Sequence, residues 1–422
     1  MIKTHTLPNG LRIVMERLPY LRSASIGVFI KAASIMEAEH ETGLSHFLEH
    51  MAFKGSPSRS AKQLAEEIDL IGGNVNAETS KVCTSFYART TDTNLPRAIT
   101  LLADMVMHPL DAPADFERER QVILEEIGME NDTPEDLVYN LLHSGLYEGQ
   151  SLSRTILGTK SAISGYTINE LADFRKRFYQ PVNAVISVTG RFEEEELKAA
   201  LEEAFGDWDG REITRCPPNA VKDQGARLSM NKNVEQTQLC IGYKALPSLH
   251  EDRYALIAMS TALGGGVSSR LFQRVREQEG LVYQIYCAPS FYPDCGDFTV
   301  YAACAPQKAS LVLDLIQSEI KALVQDGITE EEWLQTMAQI KTGYVLGMES
   351  AYQRMASMGF NLLLHDRLVA PREVLANMRR VKKAGINRVA RTILSGVPTI
   401  AMIGKEMSRV SGKKGGSSRG QA

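Results

Sequence analysis

The sequence predicts an α+β protein built from two homologous domains. Two observations carry this expectation. Strand-like and helix-like segments fall in groups rather than alternating one for one, as a parallel βαβ chain would require. Segments of the first half also recur at a steady offset in the second. Ser25-Ile26-Gly27 returns as Cys240-Ile241-Gly242, 215 residues later. Thr167-Ile168-Asn169-Glu170-Leu171-Ala172 returns as Gly385-Ile386-Asn387-Arg388-Val389-Ala390, and Ala184–Gly190 returns as Pro398–Gly404. The break falls in 211–225, which carries Pro217-Pro218-Asn219 and Asp223-Gln224-Gly225, residues that interrupt regular structure. The expected domains are therefore 1–210 and 226–407, with 211–225 as linker.

The elements follow from hydrophobic period. Residues 11–31 and 82–90 alternate or run β-branched and aromatic, as strands do. Residues 61–71, 94–107, 114–130, 167–178 and 194–205 carry helical periodicity. Glu330-Glu331-Glu332-Trp333 opens a counterpart to the long helix that carries Phe116. Gly264-Gly265-Gly266-Val267-Ser268-Ser269 lacks the Gly-Lys-Ser/Thr ending of a phosphate loop, so it reads as a turn and helix start. The tail 408–422, rich in Gly, Ser, Lys and Arg, is expected to be disordered.

Composition narrows the function classes. With 422 residues, 44% hydrophobic and 23% charged, the chain suits a well-packed globule of more than one domain. A net charge of −4 gives no reason to expect a nucleic-acid partner. No run approaches about 18 apolar residues, so no membrane span is expected. The N-terminal residues show neither a secretory apolar core nor an Arg-rich presequence. Cys83, Cys216, Cys240, Cys287, Cys295 and Cys304 form no Cys-x-x-Cys pair and read as buried thiols of a reducing compartment, the cytoplasm.

The strongest chemical signal is His46-Phe47-Leu48-Glu49-His50. On a helix, His46 and His50 stand one above the other on one face. Such a pair is ready to ligate zinc, and the adjacent Glu49 can accept a proton from water there. With 8 His and 51 acids in 422 residues, chance supplies this pattern roughly 0.02 times. A third ligand is sought on the helix near 114–130. Setting Phe116 at zero, Ile123 and Ile127 fall at about 340° and 20°, with Glu119 near 300° and Glu126 near 280°. Both carboxylates border the buried face and need partners. Glu125 points to about 180°, and Glu130, near 320°, is a rival.

These residues resemble the pitrilysin family of inverted-motif zinc peptidases, the inverzincins, and most nearly its short bacterial members, related to the β subunit of mitochondrial processing peptidase. The likeness rests on Gly43-Leu44-Ser45-His46-Phe47-Leu48-Glu49-His50-Met51-Ala52-Phe53-Lys54-Gly55, Gly72-Gly73-Asn74-Val75-Asn76-Ala77 and Glu119–Glu126. It implies domains built on a largely antiparallel sheet with helices packed mainly on one face. It implies Zn2+, one per chain, held by His46, His50 and Glu126, the last lying 76 residues after His50. Glu119 would support a ligand rather than touch the metal, and Glu49 would be the base. Arg276 and Tyr283 match the family's distal Arg/Tyr pair, which contacts substrate. Asn76, Ala77 and Phe53 would line an extended peptide bound along a strand edge. The segment Gly149-Gln150-Ser151-Leu152-Ser153-Arg154 departs from the His-Pro-Leu-Gly-Arg common among relatives.

The second repeat carries none of the proposed ligands. His46–His50 map onto Thr261–Gly265, and Glu119 and Glu126 onto Thr336 and Gly343. This fits a catalytic half and a supporting half. The resemblance implies an endopeptidase acting on peptides or unfolded segments in a closed cleft. Larger relatives hold four such domains, so two chains of this length would face each other. A homodimer is the simplest arrangement, and a heterodimer with an inactive homologue the other. The alternative function is a metal-free core or scaffold subunit of a processing-peptidase-like complex.

Overall fold

The computed structural model describes residues 2–213, 215, 217–222 and 224–405. Cys216 and the tail 408–422, expected to be disordered, lie outside the described residues. The chain forms two compact units, each assembled from three stretches of sequence. The first comprises described residues 2–129, 150–219 and 341–377, and the second 130–149, 220–340 and 378–405.

The first unit is built on strands β1 (Ile2–Thr6), β2 (Arg12–Arg17), β3 (Ser23–Ile30), β6 (Asn74–Thr79), β7 (Thr84–Thr91) and β8 (Ala184–Gly190), with β4 (Gly55–Ser56) and β5 (Arg59–Ser60) forming a separate small hairpin. The sheet order is β1-β2-β8-β3-β7-β6. Only β2 and β8 run parallel; all other neighbours are antiparallel. The expected strand at 11–31 is two strands, separated by a turn at Pro19-Tyr20. Proline has no N–H to continue a ladder, so the chain turns there.

The second unit has β9 (Arg227–Asn231), β10 (Thr237–Ala245), β11 (Val282–Phe291), β12 (Gly296–Cys304) and β13 (Thr399–Gly404), in the order β11-β12-β10-β13-β9. Here too a single pair, β13 with β9, is parallel. Reading β9, β13, β10, β12 and β11 as β2, β8, β3, β7 and β6 reproduces the first sheet without β1. The repeated Ser25-Ile26-Gly27 and Cys240-Ile241-Gly242 lie on the central strands β3 and β10. The two domains are thus homologous, and both sheets are mostly antiparallel. Cys83, Cys240, Cys287, Cys295 and Cys304 are buried free thiols.

The two sheet faces of the first unit are closed differently. Val28 and Phe86 are paired on one face, where Phe86 meets the Tyr179 ring at 6.4 Å. The opposite face carries Val14, Gly27, Phe29 and Val185. It is covered by helix Ala351–His365, whose Met355 and Met358 join that cluster. Ser187 Oγ donates to the Met355 carbonyl at 2.7 Å. Helix Pro134–Leu146 does the same in the second unit, where Leu142 and Leu146 lie against Gly242 of β10. Division at the linker alone does not anticipate these segments, since each is contributed across the 211–225 boundary.

The fit under helix Ala351–His365 is close. A Cβ at Gly359 would stand 2.2 Å from the Phe29 ring, which is held edge-on by Phe360 at 5.1 Å. Gly359→Val should therefore destabilise the fold by about 1–3 kcal/mol, as overpacked cores do. The measurement is the thermal midpoint of the purified variant. An unchanged midpoint would mean that this helix does not close the face as described.

Candidate metal centre and active site

The ligand helix, Leu44–Met51, begins at Gly43, whose φ of 94° suits glycine and few other residues. Its N-terminal amides are satisfied by a buried acid. Glu37 accepts from the Gly43 and Ser45 N–H groups at 2.9 Å each, placing negative charge where the helix dipole favours it. Arg154 donates to the Glu37 carbonyl, and Lys81 donates to the Arg154 carbonyl. The departing loop at 149–154 thus still braces this turn through its arginine.

Helix Pro113–Asp132 meets the ligand helix through an aromatic stack. Phe47 and Phe116 lie 4.7 Å apart with an interplanar angle of 4°. Phe116, Ile123 and Ile127 are buried, Glu119 is buried and Glu125 is exposed, following the angular positions read from the sequence. His46, His50 and Glu126 come together, with one donor atom from each lying within 4.8 Å of the others. Among the described residues this is the one group of three or more that can hold a metal ion, and neither Glu119 nor Glu130 is part of it.

The spacing within the trio is informative. His50 Nε2 and His46 Nε2 stand 3.4 and 3.7 Å from Glu126 Oε2. Both exceed the 2.7–3.2 Å of an ordinary hydrogen bond. Two ligands of a tetrahedral zinc stand about 3.4 Å apart, from bond lengths of about 2.0–2.1 Å. His50 Nδ1 lies 3.0 Å from Glu119 Oε2, a contact that leaves the opposite ring nitrogen, Nε2, on the side of Glu126. Burial, then the neighbouring His50, push the His46 pKa down to about 3, so this imidazole is neutral near pH 7. His46 Nδ1 is buried with no hydrogen-bond partner among the described residues. Two imidazoles and a carboxylate converging on one point are a donor set that zinc accepts.

Sequence reasoning missed three supporting contacts. Lys54 Nζ lies 2.7 Å from Glu119 Oε1, balancing an acid that is almost wholly buried. The Thr79 hydroxyl donates to Glu49 Oε2 at 2.5 Å. Glu37 caps the ligand helix from outside the motif. Lys54 and Thr79 were visible as near neighbours of the two motifs; Glu37 carried no local signal. Burial raises the pKa of Glu49, opposed by the Thr79 hydrogen bond, which suits a carboxylate that must take up a proton.

Asn76 and Ala77 lie on β6, the free edge of the first sheet, and Phe53 is half-buried just after the ligand helix. Arg276 and Tyr283 come together in the second unit. The guanidinium lies 5.0 Å from the Tyr283 ring centre and 4.6 Å from that of Phe272. Arg276 belongs to a π-helical turn, Phe272–Gln278. Tyr283 is the unpaired residue of a β-bulge between Val282 and Gln284, and is 76% exposed. Both irregularities are devices that re-aim a side chain.

Comparison with known proteins agrees with this geometry. Residues 12–160 match the family described as insulinase, peptidase family M16, and residues 165–340 match the peptidase M16 inactive domain. The chain is 36% identical to an uncharacterized zinc protease of Bacillus subtilis, over 96% of this chain and 98% of that protein. An uncharacterized zinc protease of Mycobacterium leprae is also 36% identical, over 96% of this chain and 92% of that protein. The fold matches the crystal structure of a protease from Helicobacter pylori with a TM-score of 0.90 at 24% identity, over 96% of this chain and 99% of that one. The chain belongs to peptidase family M16, the pitrilysin-type zinc peptidases, and is of the short bacterial kind.

The Glu119 contact yields a test. Removing such a partner of a ligating histidine typically weakens metal binding 10–100-fold. Glu119→Gln should lower zinc affinity by about that factor, measured by competition with a chromophoric chelator. Affinity equal to wild type would show that Glu119 has no bearing on His50 as a ligand.

Proposed function

We propose that this protein is a zinc-dependent endopeptidase that cleaves peptides or unfolded segments bound in extended form. The observation that carries this is the convergence of His46, His50 and Glu126 beside a half-buried Glu49 that the edge strand itself holds through Thr79. His46, His50 and Glu126 would hold one Zn2+ per chain, with Glu119 fixing His50. When bound, zinc supplies a Lewis acid that acidifies water and polarises a carbonyl. A peptide would lie along the free edge of β6, its backbone pairing near Asn76 and Ala77 as an added strand, with Phe53 nearby. Glu49 would accept a proton from water at its carboxylate and deliver it to the leaving amine nitrogen. Thr79 holds the Glu49 carboxylate toward this task.

Arg276 and Tyr283 offer an exposed phenol and a cation, donors suited to the developing oxyanion and the substrate backbone. We assign them to the site of a facing copy of the chain, in a homodimer with two sites. Free buried thiols fit a reducing compartment, and we place the enzyme in the bacterial cytoplasm.

The reading makes two tests available. Glu49→Gln should keep its zinc, measured by elemental analysis. It should lose at least about 10²–10⁴-fold in turnover of a fluorogenic peptide. Activity within about threefold of wild type would remove Glu49 as the base. His50→Ala should lose both metal and activity, and a chelator should abolish wild-type activity reversibly. The second test mixes Glu49→Gln protein with Tyr283→Phe protein. Each alone should be a poor enzyme, and mixed dimers should regain activity, because one of their two sites has both residues intact. No recovery after confirmed subunit exchange would rule out assembly of the site across chains, or a catalytic role for Tyr283.

A further inference from the structure

Three buried hydroxyls, those of Thr79, Thr84 and Tyr179, adjoin Glu49. Thr79 and Thr84 face each other across β6 and β7, and their oxygens stand 3.3 Å apart. A hydroxyl carries one hydrogen. That of Thr79 goes to Glu49 Oε2 at 2.5 Å, and that of Thr84 goes to the Ala32 carbonyl at 2.7 Å. The contact between the two threonines therefore sets oxygen against oxygen. Thr84 competes with Glu49 as an acceptor for the Thr79 hydrogen.

Tyr179 follows helix Ile168–Phe178, and its hydroxyl is buried without a hydrogen-bond partner among the described residues. The ring does not need that hydroxyl to stay in place. The Tyr179 N–H donates to the Arg175 carbonyl at 2.8 Å, the Tyr179 carbonyl accepts from Trp208 Nε1 at 3.0 Å, and the ring meets Phe86 edge-on at 6.4 Å. A phenylalanine would fill the same space without stranding a polar group, which is costly to bury. Burial, then the charges of Glu49 and Cys83, push the Tyr179 hydroxyl above its ordinary range, and Thr84 acts on it in the opposite sense. Thr84 thus bears on this hydroxyl without standing at bonding geometry. A phenol O–H rotates to suit its surroundings. With no other partner, its hydrogen turns toward Glu49 and the lone pairs of Thr84.

We propose that Tyr179 is a positioning residue for Glu49, its hydroxyl directed at Thr84 so that the Thr79 hydrogen stays on the carboxylate. Thr84 gives its own hydrogen to Ala32. Once it also faces the hydrogen of Tyr179, it is a poorer acceptor for that of Thr79. Glu49 is then the stronger acceptor, and its carboxylate is held in one orientation beside the metal ligands. The stranded phenol lowers stability, as groups retained for function do. The inference rests on the peptidase reading above.

The experiment uses full-length, zinc-loaded protein, a fluorogenic peptide and a double-mutant cycle of Tyr179→Phe and Thr79→Val. Tyr179→Phe should keep its zinc, leave KM unchanged and lower kcat about three- to tenfold, the range of one ordinary hydrogen bond. Its thermal midpoint should equal or exceed that of wild type, because a stranded hydroxyl is removed; a purely structural role predicts a lower midpoint. Thr79→Val should lower kcat roughly ten- to hundredfold, as loss of a hydrogen bond to a charged group does. Adding Tyr179→Phe to Thr79→Val should lower kcat no further, because Tyr179 acts through Thr79. Thr79→Ser, which restores the hydroxyl, should recover most of the activity and with it the sensitivity to Tyr179→Phe. The same cycle is read in the midpoints of urea unfolding, which need no turnover. If wild type cleaves no peptide, the peptidase reading fails, and coupled midpoints still support the hydroxyl chain. Additive losses in kcat in an active enzyme, a thermal midpoint that falls together with kcat in Tyr179→Phe, or additive midpoints in an inactive protein would overturn it.

Discussion

The contact of Phe47 with Phe116 is the interaction on which the site depends. His50 and Glu126 are 76 residues apart, on helices with no covalent reason to approach. The stacked rings bring the two helices together, and the helical period does the rest. One turn carries His46 and His50 to the same side as Glu126, and Glu119 arrives two turns earlier on its helix, facing the back of His50. The surroundings are held by something other than a metal: His50 by Glu119, Glu119 by Lys54, and the helix of His46 and His50 by Glu37. The donor positions are therefore set by packing and hydrogen bonds, which is what preorganisation requires.

The same economy links Glu49 to the strand. Glu49 is half-buried where its charge is disfavoured, and a hydroxyl from the end of β6 orients it. In the function proposed above, a chain pairing with β6 would be aligned by the strand that aligns Glu49, so substrate register and proton acceptor would share one reference. In the second unit the counterpart of β6 is β11, and there the corresponding edge carries a bulge at Tyr283 beside a π-turn at Arg276. One topology thus presents two chemistries at equivalent edges, one built on ligands and the other on exposed donors.

Much of this was legible in the sequence because it is local. The helices at 61–71, 167–178 and 194–205 follow their hydrophobic period, with ends marked by Ser60 and Thr167 capping boxes in the first two. The His-x-x-Glu-His spacing and the angular placement of Glu119, Glu125 and Glu126 likewise depend only on helical geometry. What the residues alone left open was the choice among Glu119, Glu126 and Glu130, since three acids near one helical face differ only in what lies opposite. Glu37 and the swapped helices were not legible, because each is fixed by tertiary contacts that no window of a few turns contains. The separation of β2 from β3 was marked locally by Pro19 and was passed over in a continuous apolar run.

The swapped helices carry a consequence for biosynthesis. The Val14, Phe29 and Val185 face is complete only when Met355 and Met358 arrive. During translation the first sheet can pair all six strands once residue 190 has emerged, yet one of its faces stays bare for more than a hundred further residues. At about 5–20 residues per second that interval lasts on the order of ten seconds. Such a half-covered intermediate is a natural client for chaperones that shield apolar surface. Gene fragments ending near the midpoint encode a sheet without its cover, so the repeat, although two domains by topology, behaves as one unit of synthesis.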